Sequence, residues 1–416
     1  MSFTALHRLL GVEPAPLTDE MIDLAIEQGI SETDDLDWKS ALPPAKGLSQ
    51  TDYPKDIAAM ANSGGGMIVY GVAEDQKAAT GRTDVGDLDE GHERALRSAA
   101  VTAISPPIFG LHVHRLGAPG SRVVAVVVPG SVDGPHLIYR GELFGAPVRN
   151  DADTVWMRER QIEAMYRARF DERRHATEAL DHLYAEAVRG RDIESRAWFI
   201  AVGHPRLPAT PAGRPTREEA KDTFETAGRR ALSYAGRHGI HPLETVDRLN
   251  PRPGLRRWVA PNTATTDTAR WKEAWASVHH DGSVSIAAAI GAHRSGADTF
   301  LAGSQVRSAA IECAVADLMG LIRAVGRRQA LTEYEVVVGV EWSGAEPLLI
   351  QTVDQHGFAF DGNSIPLPLY TRVATTVRAD VDDGQFLDQV HDLALDCVNQ
   401  GGISTLQLIR ITDDEQ

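Results

Sequence analysis

The chain has 416 residues, 43% of them hydrophobic and 24% charged, with a formal net charge of −16; that length holds two or three domains with ordinary cores. Such acidity argues against indiscriminate binding to long nucleic acid, which needs a basic surface, but allows an acidic metal-binding pocket with a local basic rim. No apolar run reaches the ~18 residues of a membrane helix, and the first ten residues lack a signal peptide's apolar stretch and cleavage site, so a cytoplasmic protein is expected.

Residues 17–29 pattern as an amphipathic helix with Met21, Ile22, Leu24, Ala25 and Ile26 apolar. Leu36 to Ala41 suits a strand. Pro54 to Asn62 suits a helix, with Pro54 in its first turn and Gly64 just past its end. Met67 to Val72 is a near-continuous apolar strand of the kind covered on both faces. A helix over Glu90 to Ala103 should stop at Ser105-Pro106-Pro107. Two strands follow, Phe109 to Leu116 and Arg122 to Val128, then another near Ala146 to Arg149. Helix dominates from Glu159 to about Val188, with a break expected near Phe170.

The second half begins with strand material at Trp198 to Val202. A Pro/Gly/Thr-rich stretch, Pro205 to Pro215, precedes a helix over 217–237, and Asn250 to Gly254 and Pro261 to Thr266 read as loops. Trp271 to His279 and Ser283 to Ile290 flank His280-Asp281-Gly282, a hairpin signal. A long helix over 306–328, strands near 333–342, 347–353 and 369–378, a helix over Gln385 to Asn399 and a last strand over 404–411 complete the pattern. The expected class is α+β: a mixed sheet with helices in residues 1–170, a helical linker over 171–195, and a second mixed α/β domain over 196–416. Cys313 and Cys397 fall in helix-like segments and read as buried free thiols rather than a zinc site.

The chemistry concentrates between Ser31 and Asp75. On a strand, residues two apart point the same way, so Asp37 and Lys39 should face one pocket while Trp38 packs on the other side. A carboxylate that holds a divalent cation beside a lysine that steadies phosphorane charge is a common nuclease pairing. By itself the pattern is weak and describes an exposed strand pair.

Glu32, Asp37-Trp38-Lys39, Ala61-Asn62-Ser63-Gly64-Gly65 and Gly71-Val72-Ala73-Glu74-Asp75 together resemble the Schlafen-type AlbA domain, over about residues 17–170. That family typically reads Glu-x4-Glu-Phe-Lys, a helix ending in Ala-Asn-Thr/Ser-Gly-Gly, an apolar strand and Gly-Val-x-acid-acid. Here Asp37 replaces the second glutamate and Trp38 the phenylalanine, and Gly145 to Thr154 lacks the tyrosine and glycine of the family's closing motif. The shorter arm of Asp37 bears on Mg²⁺ geometry. The resemblance implies nucleic acid as partner and, in some members, metal-dependent RNA cleavage. It implies Mg²⁺ or Mn²⁺ held by Glu32, Asp37 and Asp75, with Glu74 the alternative to Asp75 and Lys39 beside the scissile phosphate.

Around that core, Lys55, Asn62, Gly64, Gly65 and Arg149 are candidate phosphate or nucleic-acid contacts. Each has a structural alternative: Asn62 can cap its helix, and Gly64 to Gly66 can be a helix cap and tight turn rather than a phosphate cradle. The turn lacks the P-loop Lys-Ser/Thr. Eight arginines lie at 140, 149, 158, 160, 167, 169, 173 and 174, with seven acids interspersed, as on a solvated helix face. His112 and His114 read as sheet-surface residues, His279 and His280 as turn residues, and His136 as a rim position. Three outcomes stay open: an endoribonuclease acting on tRNA or other structured RNA in a bacterial defence or stress role, a non-catalytic nucleic-acid-binding regulator, and an ATP-binding signalling protein. Homo-oligomerisation is left open.

Overall fold

A computed structural model describes residues 4–12, 15–140, 143–207, 214–295, 299–329, 331–353, 359–360 and 364–410. The chain divides into two compact units, 1–174 and 175–416.

The first unit contains α1 (Ala5–Leu10), α2 (Asp19–Glu27), β1 (Leu36–Lys39), α3 (Tyr53–Asn62), β2 (Gly66–Tyr70), β3 (Val72–Asp75), β4 (Ala78–Arg82) and α4 (Glu90–Thr102). It continues with β5 (Ile104–Ser105), β6 (His112–Leu116), β7 (Val123–Val128), β8 (Leu137–Arg140), β9 (Leu143–Gly145), β10 (Pro147–Asn150), β11 (Asp153–Trp156) and the first half of α5 (Glu159–Val188). The central sheet runs β1-β2-β7-β6. β1 lies parallel to β2, which pairs antiparallel with β7. Alternation sends Ile68 and Tyr70 to a core shared with Ile57 and Met60 of α3 and Leu96 of α4. The opposite residues, Met67 and Val69, join Leu6, Ile22, Leu36 and Trp38 under α1 and α2. Both faces of β2 are therefore covered, which is why it is nearly all apolar.

The second unit holds the rest of α5, then β12 (Trp198–Pro205), α6 (Arg217–Ala235), β13 (Arg252–Gly254), β14 (Arg257–Ala260), β15 (Ala274–His279) and β16 (Val284–Ala289). After these come β17 (Gln305–Arg307), α7 (Ser308–Gln329), β18 (Glu333–Glu341), β19 (Leu349–Val353), β20 (Ala359–Phe360), β21 (Val373–Arg378) and α8 (Asp383–Asn399). A seven-stranded sheet, β13-β14-β15-β16-β12-β18-β21, is antiparallel throughout. Phe199 and Ala201 face a large core with α6, α7 and α8. Trp198, Ile200 and Val202 face Leu180 and Tyr184 of α5.

Several boundaries differ from expectation. α5 is unbroken at Phe170, because no proline or glycine interrupts the segment and Phe170 itself is exposed. β13 lies in a stretch read as loop: Pro253 ends up on an edge strand, where its missing N–H costs nothing. Residues 404–410 form no strand, because Glu312 takes the amides of Gln407, Leu408 and Ile409. Position 411, the polar tail after it and part of the Pro205 to Pro215 stretch lie outside the described residues.

Candidate functional site

β1 builds the site. Trp38 turns into the α1/α2 core and donates its indole N–H to the Ile30 carbonyl. Asp37 and Lys39 consequently share the opposite face, with Lys39 Nζ 2.6 Å from Asp37 Oδ2. The Asp37 side chain is only 3% exposed while that of Lys39 is 40% exposed. The other oxygen, Oδ1, accepts from Arg149 at 3.0 Å. Apart from the ion pair with Lys39, Oδ2 accepts no hydrogen bond.

Glu32 enters from the turn before β1. Its Oε1 accepts the Trp38 amide at 3.0 Å. Burial pushes its carboxyl above the usual range, and the charges of Asp37 and Glu74 add to that, against the Trp38 amide and Lys39. Burial pulls Lys39 down, but the Asp37 carboxylate, with help from Asp56 and Glu32, outweighs it and the ammonium is held above its ordinary value. Asp56, in the first turn of α3, is pushed up to about 6 by burial, with Asp37 and Asp52 adding and Lys55 and Lys39 opposing. Lys55 Nζ lies 3.1 Å from Asp52 and 3.7 Å from Asp56.

Glu74 and Asp75 are both exposed at the end of β3, and Asp75 faces Ala78 across the β3–β4 hairpin. Of the two neighbours, Glu74 is the one whose charge adds to the Glu32 shift. Among the described residues, no three His, Cys, Asp or Glu side chains form a group able to hold a metal ion.

The remaining candidates serve as braces. Arg149, with a side chain 2% exposed, bridges Asp37, the Thr33 carbonyl at 3.2 Å and Thr154. Its amide donates to Ser63. Asn62 donates to the carbonyls of His136 and Pro147 and accepts the His136 amide, so it ties α3 to the segment before β8 and to the start of β10. The Gly64 and Gly65 amides donate to Ala61 and Met60, closing the end of α3. Gly65 has φ +100°, and a Cβ there would meet the Gly130 nitrogen at 2.7 Å. Backbone approach, rather than a ligand, explains that glycine in this structure.

The sequence reading missed Thr33 and Thr154 as partners of Arg149, and it did not include Asp56 among the site residues. The first contact spans 116 residues and carries no local signal.

A mixed sheet covered by helices on both sides, with a carboxylate–lysine pair on its first strand, defines the class: an α+β domain with a polar site at the sheet margin. Residues 32–161 match the family described as Schlafen, AlbA_2. The first unit thus carries a Schlafen-type AlbA domain. No curated protein matches the chain. Among solved structures it is similar to the DIP2311 protein from Corynebacterium diphtheriae, at 14% identity and TM-score 0.24 over 51% of this chain and 34% of that one. It is also similar to the N-terminal domain of a RecG-related ATP-dependent DNA helicase protein from Nitrosomonas europaea, at 18% identity and TM-score 0.25 over 32% and 86%. The chain spans about a third of the length of the first of these, and scores this low carry no weight for function. No helix among the described residues is long and apolar enough to cross a membrane.

Proposed function

We propose that the Asp37–Lys39 pocket makes this protein a Mg²⁺- or Mn²⁺-dependent endoribonuclease acting on tRNA or other structured RNA, in a bacterial defence or stress role. The observation that carries the reading is the buried Asp37 carboxylate, whose Oδ2 meets only the half-exposed Lys39. Mg²⁺ commonly takes one or two protein carboxylates and completes its shell with water and substrate phosphate. Glu32 and Asp37 fit that demand, since a cation beside them relieves the burial and mutual repulsion that push Glu32 up. Asp75 is the third ligand of this reading and Glu74 its alternative, the latter being the one whose charge acts on Glu32. When bound, the ion would activate water and neutralise phosphorane charge. Lys39 is placed to contact a phosphate oxygen, and Lys55 stands at the α3 end of the same cluster. Arg149 keeps Asp37 in its orientation from below.

One observation favours the non-catalytic alternative: Asp37 already has two cationic partners, Lys39 and Arg149. The test incubates pure protein with total tRNA, and with single- and double-stranded DNA, in Mn²⁺, Mg²⁺ or EDTA, beside Lys39→Ala and Asp37→Asn. Discrete RNA fragments lost with EDTA and in both variants are expected. Binding without cleavage, unchanged by EDTA and by Asp37→Asn, would leave a nucleic-acid-binding regulator.

A further inference from the structure

The second unit contains a cationic cavity that the reading above does not use. It lies on the α5 side of the seven-stranded sheet, where β14, β15 and β16 pass beneath the end of α5, and has a volume of about 110 Å³. Strand alternation lines it in rows. Arg257 stands opposite His279, Ser277 stands opposite Ser285, and Trp275 forms the floor beside Ala287. Arg191, just past α5, closes the cavity with its guanidinium 3.7 Å from the centre of the Trp275 ring.

The donors here outnumber the acceptors. Arg191 Nε donates to the Ala187 carbonyl, and among the described residues no carboxylate forms an ion pair with this guanidinium. Burial pushes Arg191 down to about 10 against the opposing charge of Glu273, a carboxylate already bridged to Arg196 and Arg270. Arg257 reaches Glu186 at 2.5 Å, yet its Nε is buried without a partner. His279 Nε2 is likewise buried and unpartnered. Buried polar groups left unmatched are costly and rare. Two guanidiniums, an imidazole and two hydroxyls around one small space, with Glu186 as the only lining carboxylate, describe a receptor for negative charge.

Size narrows the ligand. At ~30 Å³ per water, the cavity has room for about four waters, well under the ~300 Å³ at which pockets begin to enclose drug-sized ligands. We propose that this cavity binds one tetrahedral oxyanion: inorganic phosphate, or the terminal phosphoryl group of a small phosphorylated molecule whose remainder stays outside. Arg191 and Arg257 supply the charge, and Ser277 and Ser285 donate from the sheet. The second unit then senses a phosphate group, free or carried by a small molecule, independently of what the first unit does to nucleic acid.

The test is calorimetric titration of the full chain with inorganic phosphate and with phenyl phosphate, at constant ionic strength, against chloride. Saturable one-to-one binding of either probe is expected. Arg257→Gln should weaken it at least tenfold and Ser277→Ala by about threefold or more, the size of a lost charged or neutral hydrogen bond. Lys39→Ala, in the other unit, should leave it unchanged. Ser277→Ala removes one hydroxyl only and keeps the test valid if an arginine variant fails to fold. Preference for phenyl phosphate would identify the phosphoryl group of a larger molecule as the source, and preference for phosphate the free ion. Absence of saturable binding for both probes, or affinities equal in wild type and both cavity variants, or loss in Lys39→Ala alone, would overturn the proposal.

Discussion

Arg149 and Lys39 both touch Asp37, and replacing each should have opposite consequences. Arg149→Met keeps an apolar stem in a side chain that is 2% exposed but deletes the guanidinium. The lost charge-assisted bond to Asp37 is worth about 1.5–3 kcal/mol, and the bonds to the Thr33 carbonyl and Thr154 about 0.5–1.5 each. Removing one partner of a buried pair costs about 3–5 kcal/mol as a whole. Lys39 remains 2.6 Å from the other oxygen of Asp37, so the expected loss is at the lower end, ~3 kcal/mol. Lys39→Ala removes a side chain 40% exposed but leaves the buried Asp37 Oδ2 without its one partner, so it should cost about 1–2 kcal/mol, less than Arg149→Met because water can follow the half-exposed lysine's path. The two-unit chain calls for a local readout, so hydrogen exchange of peptides covering β1 and β10 is the assay, run beside RNA binding and cleavage. Arg149→Met should loosen both strands and lower cleavage through the lost orientation of Asp37, while the folded fraction keeps its RNA affinity. Lys39→Ala should disturb exchange less than Arg149→Met does and lower activity at least tenfold. A fully folded Arg149→Met protein that has lost RNA affinity would refute the assignment of Arg149 as a brace.

Gly65→Ala should destabilise the first unit by about 2 kcal/mol or more, read as a lower thermal midpoint, because the residue has φ +100° and its Cβ would press on backbone at Gly130. The Asp56 carboxyl titrates near 6 in the folded chain against an ordinary 3.8, so the folded state binds this proton more tightly. Its contribution to stability is full below pH ~4 and is lost as pH rises through about 6. Asp56→Asn should flatten that decline and stabilise the first unit at pH 7 by about 3 kcal/mol; an unchanged pH profile would contradict the burial argument. In the second unit, His241 Nδ1 and the Leu243 amide both lie 2.6 Å from the two oxygens of Asp317. Burial works against the imidazolium, but the hydrogen bond to Asp317 outweighs it and raises His241 to about 11. Burial raises the Asp317 carboxyl in turn, against His241 and the Leu243 amide, so the pair's contribution holds below pH ~6.5 only while Asp317 stays ionised, and it is lost at the alkaline end as pH climbs towards 11. Asp317→Asn should cost about 3–5 kcal/mol at neutral pH, measured by urea unfolding of the second unit.

Much of the first unit was legible because its signals are local. Pro54 and Gly64 bound α3 from opposite ends, and the apolar run from Met67 could only be a strand covered on both faces. The Asp37–Lys39 pairing followed from strand alternation, with Trp38 as the buried witness between them. β4 and the β8–β9 hairpin went unread because neither shows clean alternation over more than a few residues. Asn62 illustrates what spacing cannot reveal. A helix-terminal asparagine beside glycines fits a cap or a ligand contact equally well, whereas its actual partners, His136 and Pro147, lie 74 and 85 residues away.

The same distance effect governs the charge of the site. Read along the chain, Glu32, Asp37, Glu74 and Asp75 form an acidic set with one lysine among them, and a cation is the natural complement. In the folded unit, Arg149 arrives from 112 positions away to neutralise one oxygen of Asp37, and Asp56 adds a carboxyl that burial raises. Arg149 is spent on holding Asp37, so it offers little to a substrate. Lys39 and Lys55 then remain as the adjustable positive charges facing Glu32, Glu74 and Asp56. An RNA phosphate entering such a pocket meets more carboxylate than free cation. A divalent ion beside Glu32 and Asp37, as proposed, would offset that imbalance, as would protonation of the raised carboxyls, and the EDTA and Asp37→Asn arms of the cleavage experiment separate the two.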